Sequence, residues 1–199
     1  MAAPIILASN SSIRAKMMRQ VGIEFEVQAA RVDEESIKSS LISEGAKPRD
    51  IADILAEAKA RRTSAKNPAA LVIGSDQVLE LNGTIISKPK DEGELQQQMT
   101  MLSGKTHKLI SAAVIYEDAK PIWRHVSEAR MTMRELSSPF IAKYVARNWT
   151  EIQHSVGGYM IEAEGARLFS RIHGDQFTIM GLPLLELVSY LVLRGDMDA

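Results

Sequence analysis

The chain contains no cysteine. Disulfides, thiolate zinc sites and thiol nucleophiles are therefore excluded, and the composition is compatible with a reducing cytoplasm. Aromatic residues make up only 5%, and neither sign of charge dominates: 24 Lys and Arg stand against 25 Asp and Glu, a formal net charge of -1. So balanced a chain has no long-range attraction for nucleic acid or an anionic membrane, and it lacks the basic excess and aromatic platforms of a nucleic-acid binder. Any phosphate it binds must be held by a few local groups. No apolar run reaches membrane-spanning length, and the opening MAAPIILASN has no basic segment ahead of its short apolar run, so it reads as a first strand and not as a leader. What is present is ordinary globular composition, 45% hydrophobic and 25% charged over 199 residues. The expectation is one domain over residues 1–199 in a cytoplasmic protein.

Periodicity divides the chain into alternating elements. PIILAS is a short strand, followed by a loop, NSS, and a helix in which Ile13, Met17 and Val21 recur before Gly22. FEVQAARV reads as a second strand and DEES as the start of a polar helix. From Pro48, PRDIADILAEAKARR places Ile51, Ile54, Leu55 and Ala58 on one helical face with Lys59 on its shoulder. LVIG is a buried strand that stops at Ser75 and Asp76, and VLELNGTIIS is a hairpin whose Asn82-Gly83 pair suits the two positive φ angles of a type I′ turn. Asp91 and Glu94 form a capping box for a helix that stops at Gly104. Two long strands follow, HKLISAAVIY and PIWRHVSEARMTM, then a helix near SPFIAKYVA, a turn at Gly157-Gly158, a strand RLFSRI and a helix opened by Pro183. The class is α/β with a mixed sheet.

Several polar groups stand where chemistry collects. The SNSS loop offers the hydroxyl of Ser9 and free helix N-terminal amides, and Arg14 in the first helical turn sits at the positive end of the macrodipole, a poor place for a cation unless an anion is bound there. A capped helix with a solvated arginine is the plainer alternative. Asp33, Glu34 and Glu35 follow the second strand, where they could serve a hard divalent cation or simply begin a helix. Lys59 could equally snorkel from the core edge to water. Asp76 directly follows an apparently buried run, and a carboxylate there needs a cation, a metal or N–H donors. Lys88, extended because it precedes Pro89, falls opposite Gln77 in strict hairpin register, so Asp76 and Lys88 are expected to be close without a direct ion pair. LSGKTH is not a phosphate loop, since Met99 stands where the earlier glycine is needed, and the four histidines show neither metal spacing nor a triad. A hydroxyl-rich helix start, acids, and basic groups around Asp76 suit a polyphosphate with a divalent cation better than a sugar or a peptide.

ILASNSSIR, RVDEE, AKA, IGSDQVLELNGTIISKPK, LSGKTH, GGYMIEAEGA and GLPL occur in the order and spacing of the Maf family, the septum formation inhibitors, which this chain resembles from about Pro4 to about Leu193. The resemblance implies an elongated α/β fold of inosine triphosphatase type, with two lobes around a cleft, often dimeric, and a house-cleaning nucleoside triphosphate pyrophosphatase using Mg2+ or Mn2+. It carries the family's serine onto Ser9, its arginine onto Arg14, its acid onto Glu34, its lysines onto Lys59 and Lys88 and its proton acceptor onto Asp76, with Glu34 and Asp76 as metal ligands. Many members have two arginines after a proline where this chain reads Ser12, Ile13, Arg14. Ile13 before the arginine, Gln77 after Asp76, and Glu162 in place of a glutamine resemble the members that prefer 7-methyl-GTP, and imply that Glu162 contacts the base, with Tyr159 as an aromatic face three residues earlier. The alternatives are a dTTP or UTP substrate, or a non-catalytic nucleotide-binding regulator of cell division; the latter could dispense with Asp76 or Glu34, and both are present.

Overall fold

The apolar runs become strands and the helical-period runs become helices in the computed structural model, which describes residues 3–198. In chain order the elements are β1 (Ile5–Leu7), α1 (Ser12–Gln20), β2 (Glu26–Val27), α2 (Glu34–Ser43), α3 (Pro48–Ser64), β3 (Leu71–Leu81), β4 (Thr84–Ile86), α4 (Glu92–Leu102), β5 (Thr106–Glu117), β6 (Lys120–Met133), α5 (Ser138–Ile152), β7 (Phe169–His173), α6 (Gln176–Ile179) and α7 (Leu184–Arg194). The 7-stranded mixed sheet runs β2-β1-β3-β5-β6-β7, with β4 folded back on β3. β1 is parallel to β2 and to β3, and every other pairing is antiparallel.

Local chemistry explains most boundaries. Ser11, Asp33, Asp91, Ser137 and Asp175 each cap a helix by accepting the amide three residues on. At α4 the reciprocal bond of the expected capping box goes to Lys90 N, one residue before the cap. Asn82 and Gly83 take φ of 52° and 85°, as the β3–β4 turn requires. The second strand is far shorter than expected, only Glu26–Val27, because its sole partner there is the three-residue β1. The run that was to stop at Ser75 continues to Leu81. α6, a single turn, carries no periodic signal and was not foreseen.

β3 distributes its side chains to two faces with a period of two. On one face Val72, Gly74, Asp76 and Val78 look toward α3, whose Ile51, Ala52, Leu55, Ala56 and Ala60 complete a cluster with Val114 and Ile110 of β5. On the other face Leu71 and Ile73 join Met17 and Met18 of α1 and Leu184, Leu187 and Leu191 of α7. Further along that same face Leu79 and Leu81 join Leu95 and Met99 of α4 and Tyr144 and Val145 of α5. Two lobes result, sharing β3 and β5, and the polar residues Ser75 and Gln77 lie on the seam between their cores.

The second lobe buries His107, whose Nε2 lies 2.6 Å from the Tyr159 hydroxyl while Nδ1 has no partner among the described residues. Burial pushes its pKa down to about 4, so the folded protein keeps it neutral where the unfolded chain, with a pKa of 6.5, takes up a proton. Stability is therefore lost as pH falls from the unfolded value toward the folded one, by about 2 to 3 kcal/mol between about pH 7 and about pH 4.5. Urea unfolding at the two pH values is expected to show a smaller acid loss for His107→Gln than for the wild type; equal losses would place the acid sensitivity elsewhere.

Candidate active site

β1 pairs with β3 only as far as Ile73, and β4 pairs with it only from Leu79. Between them, from Gly74 to Val78, one edge of β3 lacks a strand neighbour, and the start of α1 approaches there. Ser9 is buried and its Oγ accepts from Ser11 N at 3.2 Å and from Arg14 Nη1 at 3.2 Å. Arg14 also donates from Nη1 to Ser75 O at 2.9 Å and from Nε to Gly181 O at 2.7 Å. The arginine is thus buried and oriented, not solvated at the helix start. Burial lowers its pKa, with Asp76 and Glu34 acting in the opposite direction; a guanidinium remains cationic regardless.

The acids and lysines meet on the α3 side. Lys59 is 6% exposed, and its Nζ lies 2.6 Å from Asp76 Oδ1 and 3.0 Å from Glu34 Oε1. It occupies the buried face of α3 with Leu55, Ala56 and Ala60; Ile51 and Leu55 of the expected stripe are buried, whereas Ile54 is exposed and Ala52, Ala56 and Ala60 complete the face. Gly74 explains how the helix comes so near. A Cβ at Gly74 would lie 2.2 Å from Ala56 O and 2.6 Å from Ala60 N, so α3 rests directly on the β3 backbone. One face-step along the strand from Gly74 is Asp76, which puts it against Lys59. Asp76 is mid-strand and opposite Ala112 in the ladder, contrary to the strand end expected. Glu34 begins α2, a helix with no buried residue, and is about half exposed.

Lys88 lies two residues past the end of β4. The ladder stops before its register can apply, and no ion pair joins it to Asp76 among the described residues, as expected. The residue is exposed, but its amine is within electrostatic reach of the cluster. Loss of water lowers its pKa, Arg14 and Lys59 add to the effect, and Glu34 and Asp76 oppose it. The neighbouring Ser87 is held from two sides, its Oγ by Lys38 Nζ at 2.8 Å and its carbonyl by Gln98 Nε2 at 3.2 Å. Ser9, Arg14, Glu34, Lys59, Asp76 and Lys88 therefore surround one stretch of β3.

Glu162 stands apart from this set. It is exposed, and its side chain makes no hydrogen bond or ion pair among the described residues. Tyr159 is extended at φ -147° and ψ 156° and is packed against His107 and Phe169. Tyr159 is a core residue of the second lobe and not an aromatic face shared with Glu162.

Sequence reasoning gave no site role to Gly74, Ser75, Ser111 or Gly181. Gln77, noticed only as a family marker, points to the seam, where Nε2 donates to Ser111 Oγ, Thr178 O and Ile179 O at 3.0, 2.9 and 3.0 Å. Ser75 Oγ donates to Gly181 O at 3.0 Å. Two polar residues, Ser75 and Gln77, on the strand face otherwise formed by Leu71, Ile73, Leu79 and Leu81 were the available signal.

No group of three or more acidic or histidine side chains is arranged to hold a metal among the described residues. Glu34 and Asp76 nonetheless converge on one point, the Lys59 amine, and Mg2+ is commonly bound through one or two carboxylates with substrate phosphates and water completing its shell. The donor set fits that mode. A cavity of about 580 Å3 lies elsewhere, lined by Arg134, Leu136, Phe140 and Arg167 among others. Asp76 aligns through Ala112 with Val126 of β6, which puts Arg134 roughly 25 Å further along the strand direction.

The sequence profile described as Maf-like protein matches residues 4–193. A nucleoside triphosphate pyrophosphatase of Ruegeria sp. is 55% identical over 198 residues, covering 100% of both chains. One from Roseobacter denitrificans is 55% identical, covering 98% of each. A 7-methyl-GTP pyrophosphatase of Brucella abortus is 47% identical over 96% of each. Among solved structures, a nucleoside-triphosphatase/dITP/XTP pyrophosphatase from Mycobacterium abscessus aligns with 98% of this chain at 14% identity and a TM-score of 0.45.

Proposed function

The chain belongs to the Maf family, and we infer that it acts as its relatives are named, as a nucleoside triphosphate pyrophosphatase, a hydrolase of phosphoanhydride bonds. The observation that carries the reading is the Lys59 amine held between the carboxylates of Asp76 and Glu34, with Arg14 and Lys88 beside them. A polyanion is matched by the three cations, and a water is matched by a carboxylate.

The reaction is hydrolysis at the α-phosphorus. Asp76 takes a proton from water as its oxygen bonds to phosphorus, the bridging Pα–O–Pβ bond breaks, and pyrophosphate leaves the nucleoside monophosphate. Lys59 and Lys88 stabilise charge that accumulates on the phosphoryl oxygens, while Arg14, its guanidinium kept in its plane by Ser9, binds phosphate in the ground and transition states alike. A divalent cation held by Glu34 and Asp76 would supply further neutralisation of phosphate charge. Glu34 also restrains Lys59. Residues 1–199 act as one domain in this scheme, and a homodimer is compatible with it.

A panel of nucleoside triphosphates, with pyrophosphate and orthophosphate both measured, tests the assignment. Pyrophosphate and monophosphate are expected in equal amounts, with activity lost in a chelator. Orthophosphate alone would reject cleavage at the α-phosphorus, and absence of turnover with every nucleotide would favour the regulator.

Within this activity, 7-methyl-GTP is the proposed substrate, supported by Ile13, Gln77 and Glu162 and by the name of the Brucella relative. The methylated base is cationic near neutral pH, so an acid is its natural partner, and Glu162 has an unengaged carboxylate. Glu162→Gln is expected to lower kcat/KM about tenfold more for 7-methyl-GTP than for GTP, the scale of one charge-assisted contact. Equal losses would remove Glu162 from base recognition, and a wild-type preference for dTTP or UTP would replace the substrate while keeping the reaction.

A further inference from the structure

We propose that Gln77 is a positioning residue for Arg14, acting through the backbone of Thr178–Gly181, and that this brace sets the strength of phosphate binding. The inference rests on the reading of Arg14 as a phosphate ligand.

The seam between the two lobe cores is an unusual place for an amide. Leu71 and Ile73 on one side and Leu79 and Leu81 on the other belong to apolar clusters. An apolar side chain between them would have joined the cores without the desolvation cost of a polar group. Ser75 and Gln77 stand there instead, and the side chain of each donates to one segment, Thr178–Gly181. Gln77 Nε2 reaches Thr178 O and Ile179 O, and these carbonyls can only accept, which fixes the amide orientation. Ser111, directly opposite Gln77 in the β3–β5 ladder, accepts from the same amide and donates its own hydroxyl to Thr178 O at 2.7 Å.

The braced segment then turns and presents Gly181 O to two donors, Ser75 Oγ and Arg14 Nε. Gly181 has φ of +100°, and a Cβ there would lie 3.2 Å from Arg14 Nη2, so the backbone itself forms the surface on which the guanidinium rests. Nε and Nη1 are fixed by protein carbonyls and by Ser9, and Nη2 donates to no protein acceptor among the described residues. A shift of the 178–181 segment would rotate the guanidinium about those bonds. Gln77 and Ser111, together with Ser75 on Gly181 O, hold it in place, and Gln77 does not touch the charged cluster, since it projects from the face of β3 opposite Asp76.

The test compares Gln77→Leu, Arg14→Ala and the double variant. Gln77→Leu is expected to raise KM for the best triphosphate about tenfold while kcat changes less than about threefold, the pattern for loss of an interaction made equally in ground and transition states. In the Arg14→Ala background the same change should have no further effect on KM, because a residue acting through Arg14 has nothing left to position. Additive effects, or a fall in kcat without a change in KM, overturn the brace. Ser111→Ala, a milder change, should raise KM in the same direction by about threefold and serves if Gln77→Leu does not fold. A second readout needs no turnover: the Arg14 Nε–H resonance, slow to exchange with water in the wild type, should exchange rapidly in either variant. Its persistence in both also overturns the proposal. If the wild type hydrolyses no nucleotide while inorganic triphosphate binding still weakens in Gln77→Leu only when Arg14 is present, the brace stands and the enzymatic reading falls.

Discussion

Asp76→Asn is expected to lower kcat by about 10²- to 10⁴-fold, the usual cost of removing a general base, while the protein stays folded and still binds nucleotide. Folding should survive because Lys59 retains Glu34 at 3.0 Å when Asp76 loses its charge. The geometry makes the comparison clean. Asp76 is buried in the middle of β3, so its near-isosteric amide analogue is expected to keep the same place against Lys59. Steady-state turnover and a separate binding titration distinguish the two consequences. Turnover near the wild-type value in the folded variant would transfer the base role to Glu34, the other carboxylate on Lys59.

Lys59→Met carries the larger structural penalty. The asymmetry lies in the number of partners: Lys59 has two carboxylates, but it is the one cation in direct contact with Asp76 among the described residues. Removing it strands a buried carboxylate, and breaking a buried pair from one side costs about 3 to 5 kcal/mol. Activity should vanish with it. Adding Asp76→Asn to Lys59→Met is expected to restore most of the stability and none of the turnover, because the stranded charge is then gone. Urea unfolding at neutral pH measures this, and a single variant within about 1 kcal/mol of wild type would show the pair to be energetically slight, as solvated pairs are.

These two residues also mark how much the sequence discloses. Asp76 and Lys59 could be noticed as polar positions beside apolar runs, and the hairpin turn, the caps and the long helices follow from signals a few residues apart. Which face of α3 is buried could be read only in part. Ile51 and Leu55 mark it, but Ala56 and Ala60, where the helix lies on the strand at Gly74, give no strong apolar signal, and Ile54, as apolar as Ile51, is outside it. The crossing distance that joins Lys59 to Asp76 is a property of two elements together and has no local signature. Tyr159 misled for a related reason, since an aromatic beside two glycines is as fit for packing on His107 as for a ligand. Gln77 and Gly181, about a hundred positions apart, acquire meaning only when the seam between the lobes brings Thr178–Gly181 against β3.

The core that covers Leu7, Met17 and Met18 is completed by Leu184, Leu187 and Leu191, and Arg14 receives its Gly181 contact from a residue 167 positions later. Polypeptide emerges from the ribosome in one direction, at about 5 to 20 residues per second. By the time α7 arrives, the apolar face of α1 has been waiting for roughly 8 to 30 seconds, by the same rate. β3, β5 and α3 can assemble in that interval, but the phosphate end of the site cannot. The nascent chain therefore carries an uncovered helix with Met17 and Met18 on its face, a ready target for a chaperone or for aggregation, until α7 has been made, and the arginine becomes fixed only once Gly181 is in place.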